Sequence, residues 1–234
     1  MSSLSRRLLV GFLVTAVMGL AGCGSEPKER AAFIQFLQTR ILDKKGIRMP
    51  KLKEEERKSF GDYAAHYDVM AGFHENMDNS VVKKLEDIQS RGQVRSLQDV
   101  VKRRDDLEAA RDAIPALVAS IGEERAKTDA ARAALKQPDD LKAVYDQAYA
   151  RNVTNPAQAM QEVLPHTQEL FDLALKLADF IKKHPGQIKI NGPLAEVQDP
   201  ALLKQLNAMT DELNAKSTQA VQDYRKLRAA TYGN

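Results

Sequence analysis

The chain has 234 residues and a mass of 26.0 kDa, enough for one domain with a core of its own. Its 43% hydrophobic and 29% charged content, with a mean hydropathy of -0.44, excludes both a disordered chain and a polytopic membrane protein. A single cysteine excludes an internal disulfide framework.

Residues 1–22 carry two charges, Arg6 and Arg7, followed by the apolar run Leu8 to Ala21. Crossing a bilayer takes about 20 apolar residues, so this run is too short for a span and fits the apolar segment of an export leader. The leader ends in Leu20-Ala21-Gly22-Cys23, which resembles a bacterial lipobox. In that signal the Cys23 thiol takes a diacylglyceryl group as a thioether, cleavage falls just before it, and the new amine is acylated. Three acyl chains at ~0.8 kcal/mol per buried methylene make such an anchor permanent. The competing reading is an unmodified cysteine behind an ordinary cleaved leader. Gly24 and Ser25 follow, in place of the aspartate that marks inner-membrane retention. The resemblance therefore implies the inner leaflet of the outer membrane, facing the periplasm. Ser5-Arg6-Arg7 also partly resembles a twin-arginine signal, but the strongly apolar run and the lack of a cofactor motif favour general secretion. The expected organisation is a leader at 1–22, a lipidated tether at 23–26 and one helical domain at 27–234.

Loss of Arg6 and Arg7 with the leader takes Lys+Arg from 35 to 33 against 32 Asp+Glu, a net charge of +1. The sequence pI of 8.8 thus belongs largely to the precursor, and a nucleic-acid-binding reading loses its support. Only eight glycines lie beyond Gly24, and a chain poor in glycine and rich in Ala, Leu, Lys, Glu and Gln favours helix.

In chain order, a first helix is expected from Pro27, with Phe33, Leu37 and Ile41 on one face, ending by Gly46 and Pro50. From Lys53, apolar residues Phe60, Tyr63, Tyr67, Met70, Phe73, Met77, Val81, Leu85 and Ile88 step by three or four, close to a heptad seam. Gly61 and Gly72 interrupt it, and close packing or a bend is expected at each. Gly92 closes the segment. A third segment from Ser96 carries Leu107, Ile114, Leu117 and Ile121, with Pro115 predicting a kink or break near Asp112. Gln137-Pro138-Asp139-Asp140 reads as a turn and helix cap, and Asn155-Pro156 as a second helix start of the same kind. Pro165 predicts a mild bend. Residues 187–197, with Asn191-Gly192 at their centre, read as a short extended pair or a loop. Asp199-Pro200 opens the last helix, whose stripe is Leu203, Leu206, Met209, Leu213, Val221, Tyr224 and Leu227. The expected fold is all-α: an elongated antiparallel bundle of five to seven helices with a loop or hairpin before the last one.

Three stretches carry a resemblance. They are Glu29–Gln38 (ERAAFIQFLQ), Pro50-Lys51-Leu52 with Phe60-Gly61-Asp62-Tyr63, and Ala133–Lys142 (AALKQPDDLK) with Tyr145-Asp146-Gln147-Ala148. In order and content they resemble the YiaF-like family of bacterial lipoproteins, most strongly up to about Leu170. That family is a domain of unknown function. The resemblance implies an envelope lipoprotein and transfers no catalytic or binding residue.

Among candidate sites, His66, Met70 and His74 step by four, and imidazole with thioether is a ligand set suited to copper. The alternative is that Met70 belongs to the core seam with the histidines at its edge. His166 and His184 stand alone. No nucleophile elbow, zinc-protease motif or phosphate loop is present, and lipid on Cys23 would remove the one thiol. Asp105-Asp106 fits a solvated face and Asp139-Asp140 a helix start. The expectation is a binding protein rather than an enzyme, with no cofactor and no nucleic acid. Its partners are a membrane, through the lipid, and another envelope component; a small-ligand or metal-binding bundle is the second reading.

Overall fold

A computed structural model describes residues 24–191 and 194–233. The leader and the lipobox residues Leu20, Ala21, Gly22 and Cys23 lie outside the described residues. Helix α1 (Glu26–Phe36) runs on through a π-helical segment, Leu37–Leu42. After α2 (Glu54–Phe60), α3 (Tyr63–Met77) passes through π-helical Asp78–Val82 into α4 (Lys83–Gly92). Then come α5 (Leu97–Lys102) and α6 (Arg104–Ala133). Helix α7 (Asp139–Tyr149) passes through π-helical Ala150–Thr154 into α8 (Asn155–Lys183). A hairpin of β1 (Ile188–Asn191) and β2 (Leu194–Val197) precedes α9 (Pro200–Tyr232). The nine α-helical stretches thus merge into seven continuous rods among the described residues, an all-α bundle as expected.

The predicted seam of the second segment is the buried edge of α3 and α4: Tyr63, Tyr67, Met70, Phe73, Met77, Val81 and Ile88 are all buried. On α6 the same spacing buries Leu107, Ala110, Ile114, Leu117 and Ile121. These rods run antiparallel. Asn76 Nδ2 donates to Glu124 Oε2 at 3.0 Å, and Arg103, at the start of α6, donates Nη2 to the Ser90 carbonyl near the end of α4 at 3.1 Å. Arg104 Nε donates to Asp179 Oδ1 at 2.7 Å, and Arg111 lies 3.5 Å from Asp172, so α8 returns beside α6. Helix α9 then reverses along α8, with Lys216 Nζ 2.7 Å from Glu169 and His166 facing Asp223. At ~1.5 Å per residue the 30-residue α6 alone is about 45 Å long. Helices α1 and α2 cover one half of the rods through an aromatic nest of Phe33, Phe36, Phe60, Tyr63 and Tyr67. The other half is covered by α9.

Several local expectations are corrected. No break occurs near Asp112: α6 continues through Pro115, which lies on its exposed side, where solvent can serve the Arg111 carbonyl that loses its donor. The break falls at Arg103 instead, whose φ of -103° and ψ of 23° separate α5 from α6. Asn155-Pro156 starts no new rod. The turn before it widens, so that the Asn155 N–H reaches the Ala150 carbonyl five residues back and the proline ring is accommodated. Gly61 does mark a bend, with φ 54° and the Glu29 carboxylate against it, whereas Gly72 sits inside α3 with no packing neighbour. Pro138 rather than an aspartate is the cap residue of α7, and Asp140 takes the Leu141 N–H at 2.8 Å. The inner face of α9 is Leu202, Leu206, Met209 and Leu213, while Leu203, Val221 and Tyr224 are exposed. The extended pair is a hairpin, with Asn191 opposite Leu194.

Candidate functional site

The first and last π-helical segments are tied together at the waist of the molecule, where the loop after the first also receives the end of α9. Such widened turns often mark functional positions. Arg151, in the third segment, donates Nη1 to the Leu42 carbonyl at 2.5 Å and Nη2 to the Lys44 carbonyl, closing the open end of the first. Its neighbour Asn152 is fully buried: its Oδ1 accepts the Arg48 N–H at 3.0 Å and its Nδ2 donates to the Ala148 carbonyl at 2.9 Å. His74, one turn before the second segment, lies against Asn152 with its Nε2 buried and unpartnered among the described residues. Burial holds the His74 pKa below the ordinary imidazole value, against the weaker pull of the Asn152 backbone and Asp78. At the surface of the waist, Arg40, Lys44 and Arg48 with Ile47, Met49 and Pro50 line an open basic cavity of about 450 Å³. The C-terminal end of α9 closes on the same loop, the Ile47 N–H donating to the Thr231 carbonyl at 2.7 Å.

The three predicted metal candidates are spread along α3. Met70 is fully buried in the core. His66 Nδ1 lies 3.1 Å from Gln137 Nε2, and burial lowers its pKa too. Two turns, about 12 Å, separate His66 from His74 along the axis, and the two rings face different neighbours. No cluster of three or more His, Cys, Asp or Glu side chains able to hold a metal occurs among the described residues. His166 pairs with Asp223 at 3.3 Å, and His184 with Gln187 at 3.1 Å.

A second feature was not anticipated. Between α4, α8 and α9 runs an apolar groove in two compartments of about 260 and 100 Å³. Phe171 lines both. Gly92 makes room for its ring, since a Cβ there would lie 2.4 Å from the Phe171 Cζ. The sequence marked Gly92 only as a helix end. For Asn152 a signal was present: a polar residue in phase with the buried Tyr149 and Val153.

A model of a family described as "Protein of unknown function (DUF3053)" matches residues 11–228. The chain belongs to that family. It is similar to "Uncharacterized protein YiaF" of Escherichia coli (strain K12), at 32% identity over 174 residues, 74% of this chain and 73% of that protein. The proteins of the same description from Escherichia coli O157:H7 and Shigella flexneri match equally. No solved structure matches. Within the DUF3053 family, then, the expected YiaF-like membership holds. No helix among the described residues is long and apolar enough to cross a membrane.

Proposed function

We propose that this DUF3053 member is a lipid-anchored protein of the bacterial envelope, held at the periplasmic face of the outer membrane, that binds or scaffolds another envelope component. The observation that carries the reading is the spacing between the lipobox and the fold. Cys23 precedes Glu26, the first helical residue, by three positions, and the Ser25 carbonyl already accepts the first helical bonds from Lys28 and Glu29. Three residues reach at most about 11 Å, so a lipid on Cys23 would hold the body against the bilayer. The family match beginning at residue 11, inside the apolar run, agrees with a leader belonging to the family pattern.

A Cys23→Ser variant should leave unprocessed precursor in the inner membrane and take up no labelled palmitate. Normal maturation of that variant would overturn the anchor. Cross-linking in intact envelopes should recover one reproducible component with the wild type, and recovery of none would overturn the scaffold reading. The second reading, a small-ligand-binding bundle, is favoured by the groove between α8 and α9.

A further inference from the structure

We infer that the groove between α4, α8 and α9 is a binding site for a single acyl chain, that of a free fatty-acid anion with its carboxylate at Arg95. The inference does not depend on lipidation of Cys23.

The inner compartment is walled mainly by Ile88, Leu117, Leu164 and Leu227, with the exposed Gln89 and Tyr224 at its edge. Such an apolar lining takes apolar guests. The outer compartment continues it along α8 and α9 past Phe171 and is more polar, with Thr210, Asn214 and Ser217 along α9 and Arg95 and Ser96 from the segment before α5. An apolar groove with a cationic group on its more polar side is the complement of an amphiphile with an anionic head. Arg95 is available for that role. Its backbone N–H is held by Asp99 at 3.0 Å, while its exposed guanidinium pairs with no carboxylate among the described residues.

Shape selects the occupant. The groove follows α8 and α9 lengthwise between packed helices, a course for one acyl chain and not for a helix about 10 Å across. The Phe171 ring divides the two compartments, and its rotation away from Gly92 would join them into one channel along the helices.

The test uses the full chain in bacterial membranes, irradiated with a diazirine analogue of palmitate, and maps adducts by mass spectrometry. Adducts are expected in peptides spanning residues 160–171 and 213–227, competed by excess palmitate. Two variants at or near the surface, Arg95→Glu and Ser217→Phe, should each lower their yield about fivefold or more, with unchanged helical circular dichroism. Labelling spread over exposed faces, or indifferent to both variants, overturns the site. Adducts confined to the Cys23 peptide would mean the chain's own anchor. Competition by a lysophospholipid and not by palmitate would overturn the fatty-acid assignment.

Discussion

Gly61 and Gly72 sit eleven positions apart and should respond to the same substitution with opposite signs. Gly61 has φ 54° and ψ -131° between α2 and α3, a backbone region costly to any residue with a Cβ, and the added atom would meet the Glu29 carboxylate at 2.2 Å. Because Glu29 can swing aside, the backbone term dominates, and Gly61→Ala should cost about 1–2 kcal/mol. Gly72 is helical with nothing within 4 Å of an added Cβ, so Gly72→Ala should gain about 0.5–1 kcal/mol. Urea unfolding of the two variants checks both, and a shared sign would refute the account. His74 carries a pH signature. Its folded pKa is depressed by burial, so the unfolded chain takes up its proton first as the solution is acidified. Stability present at pH 7 is then lost as pH falls through the unfolded value of about 6.5, by up to about 1.4 kcal/mol per pH unit. His74→Gln should flatten the unfolding midpoint between about pH 7 and about pH 5 relative to the wild type. His66, lowered by burial in the same way, keeps its own share of the slope, and a slope unchanged in His74→Gln would show that His74 contributes nothing to it.

The elements differ in how much of them could be seen beforehand. The long seam from Phe60 to Ile88 and the α6 stripe were legible because burial on a rod pressed between neighbours imposes an apolar residue every three or four positions. Pro115 gives no break and Pro156 no new rod for one reason. A proline signals a lost N–H and a clash, but whether the chain breaks, meets solvent or widens into a π turn depends on what lies around it. At Pro156 the widened turn is held by partners distant in sequence: Asn152 receives the backbone of Arg48, and Arg151 reaches Leu42. No local pattern reports such pairings. On α9 the expected stripe holds at Leu206, Met209 and Leu213 and fails at Leu203, Val221 and Tyr224, because an edge rod with one main neighbour buries only a narrow stripe. The waist was therefore invisible as a site, although Asn152 within an apolar stripe hinted at it. Asn152→Ala removes the acceptor for the Arg48 N–H and the donor to Ala148 in a fully buried setting. A loss of about 1–3 kcal/mol is expected, seen as a lower denaturant midpoint with unchanged slope. A change within about 0.5 kcal/mol would mean that the π turn holds without its side-chain ties.

Across the whole molecule, stability is graded along the same axis as the proposed groove. Helices α6 and α8 lie at the centre, and Ala174, Leu175, Leu177, Ala178 and Ile181 of α8 are all buried. Helix α9 buries Leu202 and Leu206 at its start, but beyond Leu213 its inward positions are only half-buried. Its lateral ties there each have at least one exposed partner, Lys216 with Glu169 and His166 with Asp223, and such pairs are worth ~1 kcal/mol or less. The C-terminal half of α9 should therefore open locally well below the cost of global unfolding. That half is also one wall of the inner compartment, through Ala220, Tyr224 and Leu227. A guest could enter by local opening of α9 while the rods stay intact. Hydrogen exchange on the full chain should find amides of residues 214–229 at least about tenfold less protected than those of 174–181, a gap of about 1.4 kcal/mol or more. Added palmitate should narrow it. Equal protection in the two segments would remove the entry route, and a gap unmoved by palmitate would separate the mobility of α9 from any ligand in the groove.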